Sequence, residues 1–136
     1  GKILMNSGVN RACLASSEDG LDEISPSKPT NVWEFCQGTE AATFKINPVD
    51  FNFPQLKLSD IKGGDAKVNS GIILRILNNQ ANEAQTACSL LNAAAGLTVY
   101  GKAANFQEGI SIAKEVLASG QAFKKLQQIV AFGQKF

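Results

Sequence analysis

The sequence predicts an α/β fold, and three observations carry that class. A segment nearly free of charge, Asn10 to Ser16, has the length and composition of a buried interior strand. Two β-prone runs flank Gln37-Gly38-Thr39-Glu40, a spacing that predicts a hairpin. From Asp65 onward apolar residues recur at helical spacing, which predicts about four C-terminal helices.

The elements follow in order. Lys2 to Asn6 reads as the end of a helix closed by Ser7-Gly8. After the first strand, Ser25-Pro26-Ser27-Lys28-Pro29-Thr30 is a loop, because a proline cannot donate to a central ladder. Asn31 to Cys36 and Ala42 to Ile46 are the hairpin strands, with Val32, Trp33 and Phe35 expected to face Phe44 and Ile46. Asn47-Pro48 and Phe53-Pro54 punctuate an irregular segment in which Phe51 and Phe53 serve packing. Asp65 is expected to cap a helix with the apolar stripe Val68, Ile72, Ile73, Ile76 and Leu77. Asn82 caps the next, Glu83 to about Gly101, which is apolar nearly all round and belongs in the interior. Asn105 caps a third, with Phe106, Ile110, Ala113, Val116 and Leu117 on one face and Ser119-Gly120 stopping it. A last helix carries Ala122, Phe123, Leu126, Ile129 and Val130. Trp33, Phe106 and Phe123 fall at core spacing.

Composition narrows the function classes. A chain of 136 residues is the size of one domain and can bury a sizeable core. With 44% apolar and 18% charged residues it has a globular balance, not a disordered one. The net charge of +1 and the lack of a basic block give no nucleic-acid footprint, and Lys124, Lys125 and Lys135 read as solvated helix positions. Histidine is absent, so any mechanism needing an imidazole is excluded unless another chain supplies one. Ser16 and Ser17 therefore have no such base to activate them as nucleophiles. Cys13, Cys36 and Cys88 are far apart without a CxxC pair; they read as small buried hydrophobes in a reducing compartment. No signal peptide or membrane anchor is read. The apolar stretch Ala84 to Val99 is interrupted by Gln85, Thr86, Ser89 and Asn92, which suits a core helix and not a membrane span.

The densest chemistry lies in Glu18-Asp19-Gly20-Leu21-Asp22-Glu23. Adjacent carboxylates beyond a glycine turn, at a strand end, suit a hard divalent cation such as Mg2+. A solvated acidic turn is the plainer reading of this segment taken alone. Gly63-Gly64-Asp65 is a second place to examine, since glycines opening a helix can cradle phosphate. Asp65 would put negative charge where the anion sits, so the capping reading is preferred there.

Read as a pattern, these residues resemble anthranilate phosphoribosyltransferase. The resemblance starts at Arg11-Ala12, Asp19-Gly20-Leu21-Asp22-Glu23-Ile24-Ser25 and Pro29-Thr30. It continues through Pro48-x-Asp50-Phe51, Lys62-Gly63-Gly64-Asp65-Ala66 with Asn69, and Leu90-Leu91-Asn92-Ala93-Ala94-Ala95. Gly101-Lys102-Ala103 and Ser119-Gly120 complete it. It runs the length of the chain and corresponds to less than half of a family member, the C-terminal part.

The resemblance implies a phosphoribosyltransferase/nucleoside phosphorylase-like catalytic domain, of which residues 1–136 would be the C-terminal part. The N-terminal helical domain and first part of the sheet would lie upstream, supplying the neighbours a buried strand needs. Residue 1 is Gly, which fits a piece of a longer protein. The implied reaction moves the phosphoribosyl group of phosphoribosyl pyrophosphate to anthranilate, releasing pyrophosphate, in tryptophan biosynthesis. Asp22 and Glu23 would be the Mg2+ ligands, Gly20 would set the turn, and Asp19 would stand behind them. A cytoplasmic homodimer is the implied assembly, with no nucleic acid or membrane partner. No catalytic residue is assigned within this chain, and the isolated piece is expected to be inactive.

One departure is visible: Ser16-Ser17 stands where the family usually has His-Gly. Altered activity and a simple polar replacement are both compatible with it. The family's glycine-rich pyrophosphate loop, its Lys-His-Gly-Asn segment and its anthranilate-binding Arg belong to the upstream part, so Arg11 is not that Arg. The alternative reading is a non-catalytic nucleic-acid-binding relative on the same fold. A nucleoside phosphorylase of the same superfamily fits the acidic motif less closely.

Overall fold

A computed structural model describes residues 1–135. A short helix α1 (Lys2–Asn6) precedes three strands, β1 (Arg11–Ser17), β2 (Thr30–Cys36) and β3 (Ala42–Ile46). Four longer helices follow: α2 (Ala66–Leu77), α3 (Glu83–Val99), α4 (Phe106–Ala118) and α5 (Gln121–Gly133). Single-turn 3-10 helices at Pro48–Phe51 and Leu58–Ile61 bridge the two halves. This is the α/β class read from the sequence. No helix among the described residues is long and apolar enough to cross a membrane.

The strands form one antiparallel sheet in the order β1-β2-β3. Thr30 opposes Ile46 and Val32 opposes Phe44, so the hairpin forms over nearly the expected residues. Its facing is corrected. Trp33 opposes Thr43, and Phe35 opposes Ala12 of β1, on the other side of the sheet from Val32. Strand side chains alternate with period two, so neighbours 32 and 33 cannot share a face. Val32 is 1% exposed whereas Trp33 is 37% exposed, so the expected core role of Trp33 is not met.

β1 has a single strand neighbour among the described residues. It pairs with β2 from Arg11↔Cys36 to Ser17↔Thr30 and forms the edge of this sheet. Only Ala12 and Ser17 in it are buried, so within the described chain it is not a strand covered on both faces. Cys13 and Ala15 pack against the helical core while only half-buried, and on the other face Ala12 is buried but Leu14 and Ser16 are not.

The core lies between the sheet and α3 and α4. Ile24, Val32, Ile46 and Phe53 meet Leu90, Leu91 and Ala94 of α3 and Ile110 and Leu117 of α4. Helix α3 is central, as its apolar circumference predicts, with Leu91 and Ala94 fully buried. Gly109 permits the close approach of α4, since a Cβ there would lie 2.8 Å from the Ala94 carbonyl oxygen. Phe51 and Phe106 meet edge to face with centroids 5.0 Å apart, and Lys114 Nζ lies 5.0 Å from the Phe53 ring centroid. The packing roles expected for these phenylalanines are therefore observed.

All three expected caps form. Asp65 accepts from Val68 N at 2.8 Å, Asn82 from Gln85 N at 2.8 Å and Asn105 from Glu108 N at 2.9 Å. Asn69 adds a second tie, bonding both the N–H and the carbonyl of Gly64. The segment Gly63-Gly64-Asp65 is thus committed to starting α2. The stripes of α2 and α5 are only partly used. Ile76 and Leu77 reach the core, but Val68, Ile73, Ile129 and Val130 are each about half exposed, and neither helix holds a buried residue. Helical periodicity locates an apolar face without determining what covers it.

Candidate metal-binding wall of a cleft

The fold divides the acidic run into three environments. Beyond β1 the chain reverses at Gly20, whose φ of +88° is the conformation that favours glycine; a Cβ would meet nothing within 4 Å there. The turn is closed by Ser17 N donating to Leu21 O at 2.9 Å and Gly20 N to Ser17 O at 3.1 Å. Glu18 is drawn toward β3 by Lys45, with Nζ 2.7 Å from Oε1. That pair is exposed and worth about 0–1 kcal/mol.

Asp19 turns toward its own loop. Its Oδ2 accepts from Ser25 Oγ at 2.6 Å and from Ser27 Oγ, while Oδ1 accepts from Leu21 N at 3.2 Å. Partial burial pushes this carboxyl upward. The Ser25, Ser27 and Ser17 hydroxyls and the Leu21 N–H outweigh it and hold the group at about 2. Ser25 is completely buried, and its N–H is taken by Thr30 Oγ1 at 3.1 Å. Asp19 therefore organises the loop behind the next two acids.

This knot has a pH signature. The folded value lies below the ordinary 3.8, so its contribution to stability is complete above about pH 4 and is lost as pH falls toward 2. Asp19→Asn is expected to lower stability by about 1.5–3 kcal/mol at neutral pH, the range for hydrogen bonds to a charged group. The gap from the parent should shrink by pH 2.5. Urea midpoints at both pH values check this, and an equal gap at the two would rule the account out.

Asp22 and Glu23 are left over. Both are exposed, and neither carboxylate takes a hydrogen bond or counter-ion from a described residue. They line one wall of an open cleft of about 710 Å³. Arg11, Cys13 and Ala15 of β1, Asn92, Gly96 and Val99 of α3, and Tyr100 are among the other residues that line it. Among the described residues no group of three or more His, Cys, Asp or Glu side chains is placed to hold a metal ion. A closed protein cage is thus lacking, while two adjacent hard-oxygen donors stand on a cleft.

Other expectations sort as follows. Ser16 is exposed, and Ser17 is buried with its hydroxyl 3.4 Å from Pro29 O; neither lines the cleft. Arg11 is held by Glu34 at 2.6 Å. The three cysteines are unpaired, as expected, but half-buried instead of buried. Burial pushes the Cys88 thiol up to about 11, with Glu23 adding to it, so this thiol is unreactive near neutral pH. Burial likewise raises Cys13, followed by the charge of Glu34.

One residue had gone unassigned. Asn92 accepts from Ile24 N at 3.0 Å and donates to Ile24 O at 2.9 Å, joining α3 to the end of the acidic loop. A clue was present, since an amide within the most apolar helix must find partners there. The identity of those partners required the fold.

A sheet-and-helix layer bearing an uncommitted carboxylate pair on an open cleft defines an α/β domain with two hard-oxygen donors exposed to solvent. The chain belongs to the glycosyl transferase family, a/b domain, whose family model matches residues 1–123. It is similar to curated anthranilate phosphoribosyltransferases. That of Methanobrevibacter smithii is 37% identical over 131 residues, covering 96% of this chain and 38% of the relative. That of Petrotoga mobilis is 36% identical over 131 residues, with the same coverage of 96% and 38%. The chain thus spans well under half the length of these relatives. Among solved structures, anthranilate phosphoribosyltransferase from Thermus thermophilus matches with a TM-score of 0.78 and 30% identity, over 90% of this chain and 35% of the other. The Saccharomyces cerevisiae enzyme in complex with PRPP and Mg matches with a TM-score of 0.80 and 25% identity, over 91% and 35%.

Proposed function

We propose that this chain is the C-terminal part of the α/β domain of an anthranilate phosphoribosyltransferase, bearing the metal-binding wall of its active site. The reaction would join the anthranilate amine to the ribose carbon of phosphoribosyl pyrophosphate and break that carbon's bond to pyrophosphate, in tryptophan biosynthesis. The observation that carries the reading is the pair Asp22 and Glu23, without partners among the described residues on the cleft wall while the neighbouring acids are engaged.

That pair fits Mg2+. The ion keeps several waters and is commonly bound by one or two carboxylates together with substrate phosphates, so a third protein ligand is not required. When bound, Mg2+ supplies neutralisation of the departing diphosphate, which two bare carboxylates would repel. Asp22 and Glu23 hold the ion, directly or through water. Ala15, Ala95 and Val99 give the cleft an apolar side. By the family resemblance, the groups that bind anthranilate would lie upstream of this chain, which itself offers no histidine as a base. The full-length protein is a cytoplasmic homodimer in this reading.

The experiment is an anthranilate-fluorescence assay with phosphoribosyl pyrophosphate and Mg2+. The complete protein is expected to consume anthranilate, and the 136-residue chain alone is expected to leave it untouched. Turnover by the isolated chain would overturn the claim that the cleft needs an upstream wall. A complete protein inert toward both substrates would sink the functional reading itself.

A further inference from the structure

Asp22 and Glu23 have no side-chain partners among the described residues, yet the main chain on either side of them is tied down. On one side, Leu21 N is held by Asp19 at 3.2 Å and Leu21 O by Ser17 N at 2.9 Å. On the other, Ile24 is taken at both its N–H and its carbonyl by the side chain of Asn92. We propose that Asn92 is the positioning residue of the carboxylate pair: by clamping the main chain of Ile24 to helix α3, it fixes how Glu23 and Asp22 are presented to the cleft. The proposal rests on the metal reading above and names a residue on which that reading depends.

The physical argument starts from the peptide plane. The Ile24 N–H belongs to the same rigid unit as the Glu23 carbonyl, because the peptide bond is planar. Holding that N–H therefore sets the orientation of the backbone from which the Glu23 side chain projects. Asn92 is suited to the task. Its Oδ1 accepts the Ile24 N–H, and Nδ2 donates to Ile24 O at 2.9 Å and to Cys88 O, one turn back on α3, at 2.9 Å. Both amide hydrogens are then used, and the Cys88 bond holds the carboxamide in the orientation that Ile24 needs. An aspartate could not donate, a serine would supply fewer bonds, and an alanine none.

The anchor is firm at its other end. Leu91, next to Asn92, is completely buried, and Ile24 is 1% exposed within the same core. The clamp thus joins two buried points, while Asp22 and Glu23 stay exposed between the ties. Groups that orient metal ligands typically alter metal affinity by about 10–100-fold when removed.

The test uses the complete protein with Mn2+ and inorganic pyrophosphate as the probe, its binding followed by electron paramagnetic resonance. Asn92→Ala is expected to weaken Mn2+ binding by at least about 10-fold. A purely structural residue would lower the melting temperature and leave the affinity of the folded fraction unchanged. Should Asn92→Ala bind Mn2+ within twofold of the parent while Asp22→Asn/Glu23→Gln loses it, the positioning role is overturned and the metal reading survives. Unchanged binding in the double variant would overturn both. Hydrogen exchange in the unmodified protein gives a measurement that needs no variant to fold. The Ile24 amide lies outside any strand or helix, yet is expected to exchange as slowly as the buried amides of α3. Exchange at the rate of the exposed Asp22 amide, which donates no hydrogen bond to a described residue, would overturn the clamp.

Discussion

Replacing both acids, Asp22→Asn/Glu23→Gln, is expected to cut phosphoribosyl transfer by the complete protein about 10²–10³-fold, the scale seen when one preorganised electrostatic group is lost. The substituted side chains keep the size of the originals and lose the charge. Neither acid carries a described hydrogen bond or ion pair, so folding stability should stay within about 0.5 kcal/mol of the parent. That separation of effects makes the test clean. Initial rates across a Mg2+ series, with a thermal melt alongside, would measure it. A rate within threefold of the parent at every Mg2+ concentration would show that the pair does not serve the reaction. Asp19 offers the contrast: its change should move stability more than metal dependence, because its carboxylate is occupied by Ser25, Ser27 and Leu21.

The second large effect concerns the frame that holds the site. Leu91→Ala is expected to lower the stability of the chain by about 2–5 kcal/mol, the range for truncating a fully buried leucine. Leu91 is 0% exposed and belongs to the cluster joining α3 with Ile24, Val32 and Ile110. Losing its side chain removes apolar burial and leaves a cavity between layers that cannot close freely. Urea unfolding followed by circular dichroism measures the loss. A change below about 1 kcal/mol would mean that the layers relax into the gap and that α3 is not the rigid centre. The effect reaches the site because Leu91 precedes Asn92.

Much of the architecture was legible because it is local. Asp65, Asn82 and Asn105 were readable as caps, since a short acceptor just before an apolar-periodic run meets the unpaired N–H groups of the first turn. Gly20 was readable as the turn, because glycine adopts a positive φ without steric cost. Less legible was what lies across from each face. Trp33 and the outer residues of α2 and α5 have core-like chemistry, yet the described chain leaves them exposed. The partner of β1 was also missed. A strand with few charges does not reveal which strand it pairs with, and the antiparallel pairing with β2 from Arg11↔Cys36 to Ser17↔Thr30 came only from the fold.

The acidic motif shows the same boundary. By itself the sequence determined that four carboxylates crowd residues 18 to 23, that no imidazole is available, and that glycine must turn the chain between them. These follow from residue type and short spacing. Only the tertiary structure decided which acids remain free. Lys45 comes from another strand, Ser25 and Ser27 fold back across the loop, and Asn92 arrives from 68 residues away. Each carboxylate is governed by groups within a few ångströms, and the sequence order alone does not say which groups those are.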